Sequence, residues 1–309
     1  MRFAYFGTST FAVPALERLA ESVVLVVTQP DRPSGRGHRL QPTPVKVKAL
    51  ELGLPVETPE KARDLEFVER IRSLDLDALI VAAYGQILSV KLLESARNGG
   101  INLHGSILPK YRGAAPIQRA ILEGEMETGV TLMQMDKGMD TGDMIDIVRT
   151  VIQPDETYGE LQDRLAQLAA DQVADWAPRL ARGDYPRTIQ NSSSATHAAK
   201  VEKSEAELSV LRPAKGEYDR FRAFTPAPGA FLTLPEGSLR IHEARLGPGG
   251  ISAGRLEQRS EGWALGFCDG SLILKTVQPA GKRAMAAEDY VNGARIRSGD
   301  QLVNPSESE

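Results

Sequence analysis

The sequence predicts an α/β protein: a Rossmann-like, doubly wound sheet followed by a small OB-like β-barrel domain. Three observations carry this expectation. Over residues 1–189, short apolar runs alternate with amphipathic stretches, the pattern of βαβ units whose strands are covered on both faces. Residues 190–205 are polar and Ser-rich and read as a linker. From 206 to 309 the helical texture gives way to short strands between Gly, Pro and Asp-Gly turns. A chain of 309 residues also exceeds what one core commonly organises, so two domains are expected.

Each element has its own signal. RFAYF at the amino terminus and VVLVV (Val23 to Val27) read as buried parallel strands around an amphipathic VPALERLAE. In the turn FGTSTF, one glycine stands where a dinucleotide fingerprint needs three, and the P-loop lysine is missing. Gly7 therefore reads as a tight strand-to-helix turn, and a nicotinamide cofactor is disfavoured. DLEFVERIRSL is helical and ALIVAAY (Ala78 to Tyr84) is the clearest strand. GGINLHG supplies another strand, APIQRAILEG a helix ending at Gly124, and GVTLMQM with DMIDIVRTVI a pair of strands. The methionines on those two strands read as core filler. A long helix covers ETYGELQDRLAQLAADQVADWAPRLARG, with Pro178 expected to kink or break it. Beyond the linker, a short helix GEYDRFRAF precedes five strands, AFLTLP, SLRIHEARL, GRLEQ, WALGF and SLILKTVQ.

Composition sets limits. Net charge is -4, so a broadly basic nucleic-acid coat is excluded, although a local basic site is not. From Ala206 onward, basic and acidic residues are equal in number. No run approaches the ~20 apolar residues of a membrane span, and MRFAYFGTST lacks signal-peptide character. Cys268 is the one cysteine and reads as a buried strand thiol in a reducing cytosol. His38, His104, His197 and His242 are scattered without ligand spacing, so no metal is expected.

Chemistry concentrates in INLHGSILPKYRGAAP (Ile101 to Pro116). If the strand runs through Asn102 and His104, both lie on one face at its carboxyl end, where open α/β sheets bind ligands. Asp140, in the Gly-flanked loop MDKGMDTGDMI, could reach the same end. An amide, an imidazole and a carboxylate at one cleft suit acyl transfer without a covalent intermediate. The amide stabilises an oxyanion, the imidazole moves protons, and the carboxylate orients the imidazole. On spacing alone this reading stands level with a structural histidine beside two turn-forming polar residues.

NLHGSILPKYRGAAPI closely resembles the signature of the 10-formyltetrahydrofolate-dependent formyltransferases, and GMDTGDMI resembles their second active-site loop. The resemblance covers nearly the whole chain and implies the formyltransferase fold with Asn102, His104 and Asp140 as the catalytic residues. It implies that Ser106, Ile107, Leu108 and Pro109 border the folate and that Tyr84, Gly85, Gln86 and Ile87 help form a pterin pocket. TQPDRPSGRGHRLQPTPVK and VQPAGKRAM resemble the insertion loop and barrel motif of family members that formylate the methionine carried by initiator tRNA. The implied partners are that tRNA and the formyl donor 10-formyltetrahydrofolate, with no metal and no membrane, in a cytoplasmic monomer. The stretch between Asp31 and Lys48 is rich in Arg, Lys, Gly and Pro, which suits a mobile loop against an RNA end. Arg36, Arg39 and Lys46 there, and Lys275, Lys282 and Arg283 in the barrel, are the expected tRNA contacts. Thr43-Pro44 should cap the next helix.

Two departures from the family pattern fall in the barrel: Ala227 stands where a Trp is common, and AELSVL lacks an aromatic after its acidic residue. The competing readings are a formyltransferase acting on glycinamide ribonucleotide or a nucleotide-linked amino sugar, and a binding protein without catalysis. A small acceptor needs neither the basic loop nor the barrel motif, and the intact trio argues against the second.

Overall fold

A computed structural model describes residues 1–34 and 39–305. The chain divides into two compact units: Met1–Pro116 with Glu127–Val151 and Gln162–Ala198, and Ile117–Met126 with Ile152–Leu161 and Ala199–Glu309. In chain order the first part contains β1 (Phe3–Gly7), α1 (Val13–Leu19), β2 (Val23–Val27), β3 (Arg32–Ser34), β4 (Arg39–Gln41), α2 (Pro44–Glu51), β5 (Val56–Glu57), α3 (Leu65–Arg72), β6 (Ala78–Ala82), α4 (Val90–Leu93) and β7 (Gly100–His104). Then come β8 (Arg112–Gly113), α5 (Pro116–Leu122), β9 (Glu127–Gln134), β10 (Met144–Val151), α6 (Tyr158–Arg182) and β11 (His197–Ala198).

The first unit is organised by a seven-stranded sheet of order β10-β9-β7-β6-β1-β2-β5. Strands β5, β2, β1, β6 and β7 run parallel, while β9 and β10 are antiparallel. Every residue of β1 and β6 is buried, as expected of strands covered on both faces. One face carries a core of Phe6, Leu25, Phe67, Ile71, Leu79 and Tyr84 with their neighbours. Strand order reverses between β1 and β6, and there Thr8 Oγ1 donates to Tyr84 O at 2.7 Å, tying together the loops that leave the two strands. Such a reversal opens a crevice at the carboxyl ends of the strands.

Gly7 serves close packing. A Cβ there would lie 2.8 Å from Ala12 Cβ and 2.9 Å from Tyr5 Cε1. Thr43 accepts from Lys46 N at 3.1 Å with Pro44 in the first turn, the expected cap of α2. Two sequence expectations need correction. Helix α6 runs unbroken through Pro178 to Arg182, so the proline does not end it. Residues 190–198 are tied down at their ends while the serines between stay exposed: Gln190 is buried, and His197 and Ala198 pair with Arg112 and Gly113, which a bare linker would not do.

The second unit holds α7 (Ala214–Ala223), β12 (Phe231–Leu234), β13 (Gly237–Gly247), β14 (Arg255–Arg259), β15 (Gly262–Gly266), β16 (Ser271–Pro279), β17 (Met285–Ala286), α8 (Ala287–Ala294) and β18 (Asp300–Gln301). Its antiparallel sheet follows the order β12-β13-β16-β15-β14-β18, with β17 beside β16. Leu232, Ile241, Leu256, Trp263, Leu272 and Val277 form its core with Tyr218 and Phe221 of α7. Cys268 is exposed after β15, so the expectation of a buried strand thiol is overturned: the strand ends at Gly266, before the cysteine. Buried charges on α7 are paired, Asp219 with Arg222 and Glu217 with Ser209 N.

Arg119 grips Glu205 through its two terminal guanidinium nitrogens, at 2.5 and 3.0 Å, and this holds the carboxyl below its ordinary pKa of 4.5. A depressed carboxyl contributes stability that is full above its unfolded-state pKa and lost as pH falls through the lower folded-state value. Glu205→Gln should therefore weaken the protein in urea at neutral pH, with the difference from wild type shrinking in acid below about pH 4. An equal difference at both pH values would contradict this.

Candidate active site

β7 is held on both edges, with Asn102 opposite Val81 of β6 and Met133 of β9, and His104 opposite Thr131. Strand alternation turns Leu103 into the core and sends Asn102 and His104 to the other face at the carboxyl end. His104 is 5% exposed, and its Nε2 lies 2.9 Å from Tyr111 O. A carbonyl only accepts, so the ring donates through Nε2 and turns Nδ1 toward Asp140. Nδ1 stands 3.6 Å from Asp140 Oδ2, an ion-pair distance just beyond hydrogen bonding.

Asp140 is the hub of the cluster. Its Oδ1 accepts from Asn102 Nδ2 at 3.3 Å, and Oδ2 accepts from Gly113 N at 2.9 Å. Asp140 has φ of 54°, in the left-handed region that Asp tolerates better than most residues. The loop around it is closed locally. Asp136 accepts from Gly138 N at 2.9 Å and from Thr141 Oγ1 at 2.7 Å, and a Cβ at Gly142 would fall 2.0 Å from Gln134 O. These contacts give the Asp-Thr-Gly motif its physical sense: Asp140 points into the cluster, Thr141 ties the loop, and Gly142 fits against β9.

Signals for four further participants were thin. Tyr111 O and Gly113 N act through the backbone, so their side-chain identities say little. Gly113 is compelled by space, since a Cβ would lie 2.7 Å from Ala198 O. Arg112 donates to Gln190 Oε1 through Nε at 3.0 Å and Nη2 at 2.8 Å. Gln190 Nε2 in turn donates to Asp140 O at 2.8 Å and Gly142 O at 2.7 Å. No local pattern marks Gln190, which sits at the head of the Ser-rich stretch.

The expected folate residues divide by orientation. Ile87 is 83% exposed, Gly85 is exposed with φ of 84°, and Ile107 and Pro109 are partly exposed. An open apolar side chain beside an uncovered backbone turn fits a flat heterocycle that needs apolar walls and main-chain partners. Tyr84, Ser106 and Leu108 are instead turned inward and buried. The ring of Tyr84 stands edge-on to Phe6 at 5.3 Å, and burial pushes its phenol pKa up. Ser106 Oγ donates to Lys110 O at 2.7 Å, and Thr131 Oγ1 accepts from Leu108 N at 3.1 Å. Gln86 braces the loop from within, accepting from Ala62 N at 2.8 Å and donating to Pro59 O at 3.2 Å.

Of the expected tRNA contacts, Arg36 lies outside the described residues. Arg39 belongs to β4, which pairs with β3 as a two-stranded ladder. Lys46 is engaged by Asp31 at 2.7 Å, so part of the loop's positive charge is neutralised at its base. Lys282 and Arg283 are exposed, whereas Lys275 is half-buried and donates to Glu261 O. Among the described residues, no group of three His, Cys, Asp or Glu is placed to hold a metal, and no helix is long and apolar enough to cross a membrane.

An amide, an imidazole and a part-buried carboxylate converging beyond a central strand define a group-transfer site, and the formyl transferase family model matches residues 1–175 around it. The formyl transferase C-terminal domain model matches residues 200–295. Methionyl-tRNA formyltransferase of Symbiobacterium thermophilum is 44% identical over 313 residues, covering 99% of this chain and 96% of the relative. The Halorhodospira halophila enzyme of the same name is 44% identical, covering 97% of this chain and 99% of the relative. The chain belongs to the methionyl-tRNA formyltransferase family. Its fold is shared with an N-formyltransferase from Helicobacter canadensis solved with folinic acid and dTDP-3-aminofucose. That likeness has a TM-score of 0.68 at 20% identity and covers 89% of this chain and 98% of the other.

Proposed function

We propose that this chain transfers the formyl group of 10-formyltetrahydrofolate to the α-amine of methionine esterified to initiator tRNA, supplying formylated initiator for translation. The observation that carries the mechanism is the convergence of Asn102, His104 and Asp140 around one point beyond β7. The amine attacks the formyl carbon, the new C–N bond forms, and the bond from that carbon to N10 breaks. One proton must leave the amine and one must reach N10. Asn102 donates to the tetrahedral oxygen. His104, held by Tyr111 O, carries the proton, and Asp140 fixes the orientation of both side chains. Ile87, Gly85, Ile107 and Pro109 form the folate wall. Lys282 and Arg283 are exposed cations suited to phosphates. The reading places the activity in the cytoplasm, where charged tRNA is used, and takes the protein as a monomer.

Release of tetrahydrofolate tests the coupling of the two half-reactions. The donor should stay intact with enzyme alone or with uncharged tRNA, and should be consumed mole for mole when methionyl initiator tRNA is added. Consumption without charged tRNA would make the protein a hydrolase of the donor and contradict the proposal.

A further inference from the structure

We infer that Gln190 is a positioning residue for the reaction: its carboxamide locks the Asp140 loop to Arg112 and so holds the carboxylate within reach of Asn102 and His104. This deepens the proposed function and rests on its assignment of Asp140.

The carboxamide is buried, 6% exposed, and each of its polar atoms is used. Nε2 gives one N–H to Asp140 O at 2.8 Å and the other to Gly142 O at 2.7 Å. Oε1 receives two donors from the Arg112 fork, at 3.0 and 2.8 Å. Two donors on one arm and an acceptor on the other, at this length, describe glutamine alone among the side chains. Glutamate keeps the acceptor for Arg112 but has no N–H for the two carbonyls, and Ala has neither.

These bonds close a ring. From the main chain of Asp140 the path runs through Gln190 to Arg112, along β8 to Gly113, and from Gly113 N back to Asp140 Oδ2 at 2.9 Å. Asp140 is therefore gripped at its backbone and at its carboxylate by one connected structure. β8 is anchored in turn: Arg112 N donates to Thr196 O at 2.9 Å, and Arg112 and Gly113 pair with β11. Such bracing has a local purpose. A residue with φ of 54° holds that conformation only when its surroundings over-determine it. At 3.6 Å from His104 Nδ1, the carboxylate also stands where a shift of a few tenths of an ångström makes or loses the contact.

The test is a mutant cycle in the full chain, with Gln190→Ala, Gln190→Glu, Asp140→Ala and the Gln190→Ala/Asp140→Ala double variant assayed in single-turnover and steady-state formyl transfer. Gln190→Ala should lower kcat about 10- to 100-fold, the scale of a misplaced catalytic group. KM for both substrates should stay within about twofold, marking an interaction felt in the transition state. Gln190→Glu should fall with Gln190→Ala, because the donors are what it lacks. In the Asp140→Ala background, removing Gln190 should cost less than about twofold more, since the two act as a unit. The inference is overturned by wild-type kcat in Gln190→Ala, by restoration in Gln190→Glu, or by an equal loss in both backgrounds. Should Gln190→Ala fail to fold, the isosteric Gln190→Glu carries the same comparison. Loss in Asp140→Ala with wild-type kcat in Gln190→Ala removes this inference alone, whereas wild-type kcat in Asp140→Ala removes the catalytic assignment and this inference with it.

Discussion

His104→Ala should slow formyl transfer about 10²- to 10⁴-fold, the contribution of a positioned acid–base group. The side chain is 5% exposed with Nε2 committed to Tyr111 O, so the ring cannot swing away and be replaced by a neighbour. A buried imidazole also fills space, and a cavity could lower stability as well. His104→Gln separates the two effects because it retains most of the volume and hydrogen bonding but has no imidazole nitrogen to take up and release a proton. Both variants should lose kcat, with the Gln variant melting close to wild type. Asn102→Ala should lose about 10²- to 10³-fold through the missing oxyanion donor. Wild-type turnover in His104→Gln would remove the imidazole from the chemistry.

Asp140→Asn should also cost about 10²- to 10⁴-fold in kcat, with the protein still folded. Asn tolerates the left-handed backbone that Asp140 adopts, so the loop keeps its course. What changes is the hydrogen-bond arithmetic. The carboxylate accepts from Asn102 on one oxygen and from Gly113 on the other. A carboxamide offers one acceptor and one NH₂, so one of those donors must face another donor. The negative charge opposite His104 Nδ1 is lost at the same time. Measuring kcat alongside thermal unfolding separates the loss of chemistry from any loss of fold.

Much of this architecture was legible in the sequence because its signals are local. The alternation of apolar runs and amphipathic stretches foretold β1, β2, β6 and β7, and residue spacing placed Asn102 and His104 on one face. Strands β9 and β10 followed from their two patterns, while their antiparallel pairing came from the structure. What stayed hidden depends on contacts between distant segments. β8 and β11 are two residues each, too short for any periodicity, and Gln190 reaches Asp140 from fifty positions away. Cys268 misled because one residue decides whether a strand has ended. The inward turn of Tyr84, Ser106 and Leu108 depends on φ angles and partners that a motif does not encode. Lys46 read as a tRNA contact, yet Asp31, fifteen residues earlier, had the charge and the reach to pair with it from before the helix.

The central claim is that the trio formylates an amine presented by initiator tRNA. Its most direct measurement is the rate of formyl transfer from 10-formyltetrahydrofolate to methionyl initiator tRNA, set beside charged elongator tRNA, glycinamide ribonucleotide and a nucleotide-linked amino sugar. The account predicts strong preference for the initiator, with that transfer slowed about 10²- to 10⁴-fold in the His104 variants and about 10²- to 10³-fold in Asn102→Ala. Transfer to a small amine in preference to charged tRNA would contradict it, even with every residue of the trio required.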